Sequence, residues 1–133
     1  MNTDKHRLDA DETVIHDALT ERIIGCAMQV SNCLGVGYLE KVYENALILE
    51  LRANGLQVTQ QVPVRVWYRY EVIGDYVADL IVENKVLIEL KHADGIHAVH
   101  VAQSLNYLRA TKLKTCLLLN FGTPRLGIKR LSL

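Results

Sequence analysis

Asp79, Glu89 and Lys91 are three charged residues set in two runs, VADLIV and VLIEL, that are otherwise almost wholly apolar. Runs of that kind read as strands covered on both faces, where an unpaired ion costs several kcal/mol or more to desolvate. A partner or a metal must therefore account for the charges. The polar triplet Glu83-Asn84-Lys85 separates the runs and predicts a chain reversal. Asp79 lies as far before Asn84 as Glu89 lies after it, so an antiparallel hairpin brings the two opposite each other to within a residue of register. Glu89 and Lys91 are two apart, which puts both side chains on one face of the strand.

Two adjacent carboxylates with open coordination positions make a hard oxygen site suited to Mg²⁺ or Mn²⁺. A cation there can bind a phosphate oxygen and activate water, and a neighbouring lysine can orient that water or offset charge on phosphorus. A buried ion-pair triad that only fixes strand register would use the same three residue types. The residues alone leave both readings open.

The elements that must position this cluster follow from periodicity. Residues 1–18 are polar and are expected to be a mobile segment, ahead of a single domain over 19–133. Ile23, Ile24, Ala27, Val30 and Leu34 recur at helical spacing, with Gly35 as the stop. Leu39, Val42, Tyr43, Ala46 and Leu47 predict a second helix running to about Ala53. Val58, Val62, Val64, Val66 and Tyr68 alternate as a strand, where Pro63 suggests an edge or a bulge. Strands over 71–82 and 85–91, a helix from about Ile96 to Ala110, and the strand-like runs TCLLLNF and LGIKRL complete the chain. The order α-α-β-β-β-α-β-β is an α/β fold, a mixed sheet flanked by helices.

Three further motifs bear on the cluster. Gly37-Tyr38-Leu39-Glu40-Lys41-Val42-Tyr43 reads G-x-x-E-x-x-Y, Gln103-Ser104-Leu105-Asn106-Tyr107 reads Q-x-x-x-Y, and the chain closes on NFGTPRLGIKRL. Together with Asp79 and Glu89-Leu90-Lys91, these resemble the PD-(D/E)XK nuclease superfamily. Within it, they resemble the GxxExxY family and the RecB-type and lambda-exonuclease-like branch. The resemblance spans residues 19–133 and implies a restriction-endonuclease-like core and metal-dependent hydrolysis of nucleic acid, with DNA the expected substrate. It implies Asp79, Glu89 and the Leu90 carbonyl as metal ligands, Lys91 as the catalytic lysine and Glu40 as a supporting carboxylate. Gln103 and Tyr107 would orient Lys91 or touch substrate, with Tyr43 in support. Ala78 stands where the superfamily name has proline, a variable position. A catalytically silent module that binds nucleic acid or a partner protein is the alternative.

Other features are weaker. His97 and His100 fit a helix cap better than a metal site. His92 faces away from Lys91 and is expected to pack behind it. Trp67, Tyr68 and Tyr70 are assigned to packing ahead of base stacking. Cys26, Cys33 and Cys116 read as buried reduced thiols of a cytoplasmic protein. No run suits a membrane span. The 15 basic and 15 acidic residues balance, which excludes a protein that coats nucleic acid by bulk charge. That balance is uneven along the chain: residues 1–84 sum to −6 and residues 85–133 to +6. A homodimer or a partner protein would supply the binding surface that so small a chain lacks.

Overall fold

The computed structural model describes residues 3–133, with side chains described from residue 18 onward. The mobility expected of 1–18 falls almost wholly outside the residues described in full. The elements follow the order read from the sequence: α1 (Thr3–Leu34), α2 (Glu40–Ala53), β1 (Val58–Tyr68), β2 (Glu71–Val82), β3 (Val86–Lys91), α3 (Ala98–Thr111), β4 (Thr115–Asn120) and β5 (Gly127–Ser132). The expected helix over 19–34 is the C-terminal part of α1, which ends where Gly35 turns to φ 68° and donates its N–H to Ser31 O.

The five strands form one sheet in the order β1-β2-β3-β4-β5. Every neighbouring pair is antiparallel except β3 and β4. A parallel pair needs a crossover, and α3 supplies it. The β2–β3 hairpin turns on Glu83 and Asn84, both at φ 54°, with Lys85 N–H donating to Val82 O.

Helices cover both faces. Ile23, Ala27 and Val30 of α1 and Tyr43, Leu47 and Leu51 of α2 pack on Leu80, Val82, Ile88, Leu90, Leu117 and Leu119. Tyr107 and Leu108 of α3 pack on Val64, Ala78, Leu87, Cys116 and Leu131 of the opposite face. Removing one of these large side chains costs about 2–5 kcal/mol, so the two clusters fix the sheet firmly under the charged residues.

Three expectations change. β3 is buried along its length, but β2 is covered only from Ala78 onward. Trp67, Tyr68 and Tyr70 do not pack: they are 60%, 61% and 98% exposed, because β1 and β2 continue as a two-stranded ribbon beyond the reach of β3. Cys26 and Cys116 are buried, whereas Cys33 near the end of α1 is exposed. No helix among the described residues is long and apolar enough to cross a membrane.

Candidate active site

The β2–β3 ladder runs from Val82↔Val86 through Ile81↔Leu87 to Leu80↔Ile88. One step further, side chains replace the ladder. Asp79 N–H donates to Glu89 Oε1 at 3.2 Å, and Leu90 N–H donates to Asp79 Oδ2 at 2.8 Å. The sheet is kinked at this level. Leu80 and Val82 belong to the cluster under α1 and α2, while Ala78, also even-numbered, belongs to the cluster under α3. Strict alternation would put all three on one face, so the pleat slips at Asp79. On β1 the same slip separates Val58 from Val64, and Gln61 between them stands at φ 52°.

Glu89 is buried and Asp79 half-buried. Burial, reinforced by the charge on Asp79, pushes the Glu89 carboxyl up to about 8. Burial also raises Asp79, against the pull of the Leu90 N–H. With no cation present, the pair therefore retains a proton at neutral pH.

Lys91 lies two residues beyond Glu89 and points toward α3, where its Nζ donates to Gln103 Oε1 at 3.4 Å. The other end of that amide, Gln103 Nε2, donates to the Tyr107 hydroxyl at 3.1 Å. One turn of α3 thus holds a chain of polar contacts from the lysine to a buried phenol. Burial and the nearby Glu89 carboxylate both raise the Tyr107 hydroxyl.

Glu40 is the first residue of α2, and the GxxExxY segment explains how it is held there. Gly37 adopts φ 112°, open to glycine and strained for other residues. The fully buried Tyr43 donates its hydroxyl to Gly35 O at 2.6 Å and accepts Tyr38 N–H at 3.2 Å. Its ring stacks on Phe121 and His92, with centroids 5.0 and 5.8 Å away. The loop before Glu40 is thereby tied to the strand end that carries Lys91. Partial burial and the charge on Asp79 raise the Glu40 carboxyl, while Lys91 and His92 pull it down.

A family model described as the PD-(D/E)XK nuclease superfamily matches residues 17–131. The chain belongs to that superfamily. A search of curated proteins found no match, and a search of solved structures found none.

Asp79 and Glu89 meet where β2 and β3 part, with Lys91 two residues further along β3. The donor set suits a hard cation. Asp79 and Glu89 each have one oxygen tied to a backbone N–H, which leaves the other for coordination. Mg²⁺ keeps several waters and is commonly bound by one or two carboxylates. Among the described residues no group of three or more His, Cys, Asp or Glu side chains is placed to hold a metal ion. His97 and His100 instead form a reciprocal cap on α3, with His97 also 2.6 Å from Asp94.

One residue at the site escaped the sequence reading. Glu44 is buried, and its Oε2 accepts Lys41 Nζ, Gln60 Nε2 and Gln61 Nε2 at 2.8–2.9 Å. Burial alone would raise its carboxyl, but these hydrogen bonds outweigh burial and hold it low. The fixed charge binds α2 to the kink in β1 opposite Asp79. Its place on the stripe of Leu47, Ile48 and Leu51 was the available signal. His100, read from the sequence as part of a helix cap, also stands one turn before Gln103 on α3, where burial and the charge on Lys91 lower its ring.

Proposed function

We propose that this superfamily member is a nuclease that uses Mg²⁺ or Mn²⁺ to hydrolyse phosphodiester bonds of DNA. The observation that carries the reading is the pairing of buried Glu89 with half-buried Asp79 at the kinked end of β2 and β3, with Lys91 on the same strand as Glu89. A purely structural triad would neutralise itself by ion pairing. Here Lys91 Nζ donates to an amide oxygen instead, and the two carboxylates face each other.

A bound divalent cation supplies a Lewis acid for a phosphate oxygen and ionises water at neutral pH. Asp79 and Glu89 hold it through their uncommitted oxygens, with the Leu90 carbonyl as a further ligand and Glu40 in support. Lys91 orients the attacking water and offsets negative charge gathering on phosphorus. Gln103 holds Lys91 in place, Tyr107 holds Gln103, and Tyr43 fixes the loop that presents Glu40. Membership of the GxxExxY family and of the RecB-type and lambda-exonuclease-like branch is part of this reading, as is a cytoplasmic setting, which suits three free thiols. A homodimer or partner protein would add binding surface.

The test pairs calorimetry with catalysis. Wild type should bind Mn²⁺ and cleave DNA only when the cation is present. Asp79→Asn should lose both activities, and Lys91→Ala should bind Mn²⁺ yet fail to cleave. Wild type that binds no cation and cleaves no single-stranded, duplex or branched DNA or RNA would leave a silent binding module instead.

A further inference from the structure

β1 and β2 pair from Val58↔Val82 to Tyr68↔Glu71, but β3 covers β2 only as far as Leu80. The outer half of the hairpin is thus a ribbon with no third strand. At its tip Trp67, Tyr68 and Tyr70 all stand in solvent, and the Arg69 guanidinium sits 5.7 Å from the centre of the Tyr68 ring. Hairpin turns that need two positive φ values favour Asn-Gly. This one places Arg69 at φ 48° and Tyr70 at φ 69°. Large side chains in a conformation that penalises them, at a position where they bury nothing, are poor choices for folding.

The ribbon leads to the catalytic cluster. The Tyr76 ring lies 3.0 Å from where a Cβ on Gly74 would stand, and 5.8 Å from the ring of Tyr107. Tyr107 in turn contacts Gln103, which contacts Lys91. A path of contacts therefore runs from Tyr76, part-way along the ribbon, to the lysine.

From this geometry we propose that the outer β1–β2 ribbon is a stacking platform for the unpaired bases of single-stranded nucleic acid, delivering the strand to Asp79, Glu89 and Lys91. The proposal deepens the nuclease reading and rests on it for where the strand goes. Aromatic faces can engage only bases that a duplex does not already stack, and every base offers such a face. Stacking also needs no basic excess, and the ribbon has none: Arg65 and Arg69 are matched by Glu71 and Asp75, with Arg65 Nε 3.5 Å from Asp75 Oδ1. A second copy of the chain is a poorer fit for this surface. Pro63 lacks an N–H, Gln61 is kinked at φ 52°, and the register slips between Val66 and Trp67, so the free edge of β1 is a poor template for another strand.

Trp67 is the only tryptophan in the chain, so its fluorescence reports on the ribbon alone. The experiment titrates wild type with oligothymidylate, and separately with a blunt duplex of equal length, in chelator so that no cleavage occurs. Saturable quenching of Trp67 by the single strand is expected, with the duplex at least about tenfold weaker. Tyr68→Ala and Tyr70→Ala should each weaken single-strand binding roughly tenfold, while their melting temperatures match wild type. Three results overturn the platform: Trp67 emission unchanged while sedimentation shows DNA bound, equal response to duplex, or emission that shifts with protein concentration alone as a dimer forms. Cation-dependent cleavage measured on the same preparation tests the nuclease reading independently, so the two can fail separately.

Discussion

Glu89 and Lys91 share a strand face but behave differently because of what surrounds them. Burial and the facing Asp79 raise Glu89 from 4.5 to about 8, so folding takes up a proton that the unfolded chain releases. The stabilising effect of that uptake is complete below pH 4.5 and disappears as pH rises through about 8. Metal-free protein should therefore lose stability over that range. Glu89→Gln, which cannot ionise, should melt about 4 °C or more above wild type at pH 8 and close to it at pH 4, a comparison calorimetry can make directly. Cation binding has the opposite pH dependence, because the proton must leave first. Mn²⁺ affinity should climb between pH 6 and pH 8 in wild type, and titration calorimetry at several pH values would show a flat profile if Glu89 were not a ligand. Lys91→Ala tests a separate role: cleavage should fall by at least about 100-fold with Mn²⁺ affinity nearly unchanged.

At the scale of the elements, the β2–β3 hairpin was legible because a turn of defined length fixes register, and register brought Asp79 opposite Glu89. The ribbon was not legible. Exposed and buried strands of Val, Ile and Tyr look alike until it is known which neighbour stops short, and β3 is only half the length of β2. Glu44 was missed for a related reason. Its donors Gln60 and Gln61 come from a kink in β1 that no local pattern announces, although its place on the buried stripe of α2 was visible. Another support was equally hidden. Asn120 at the end of β4 accepts Ala93 N–H and Gly122 N–H and donates to Ala93 O, pinning the segment that follows Lys91. A Cβ on Gly122 would come within 2.5 Å of the Ala93 nitrogen and closer still to its carbonyl oxygen. Because the obstruction is backbone, it cannot rotate away. Gly122→Ala should cost about 3 kcal/mol in urea denaturation and lower cleavage by displacing the end of β3.

Across the whole molecule, the division of charge along the sequence falls between two neighbouring strands of the sheet. Among the described residues, α1, α2, β1 and β2 precede residue 85 and β3, α3, β4 and β5 follow it, so the two portions adjoin in the sheet where β2 pairs with β3. The carboxylate pair lies on that seam. Register carries its level across the sheet, from Glu89 to Leu118 on β4 and then to Lys129 on β5, while Arg125 stands in the loop joining β4 and β5. Both basic residues are exposed. On the proposed path, a strand crossing the seam meets aromatic rings on one side and cations on the other, and the two sides should respond differently to salt. Each phosphate neutralised on single-stranded DNA contributes about −0.7 to the slope of log affinity against log salt. Reversing both charges in Arg125→Glu/Lys129→Glu should reduce the magnitude of that slope by about 1.4 and weaken binding at low ionic strength. Tyr70→Ala should weaken binding by a similar factor at every salt concentration and leave the slope alone, since stacking releases no counterions. Polarisation titrations of a labelled oligonucleotide at four or five salt concentrations separate these outcomes. A slope that the double reversal leaves unchanged would mean that phosphates never reach the basic side, and the net neutrality of the chain would then reflect solvation rather than a binding surface divided between stacking and charge.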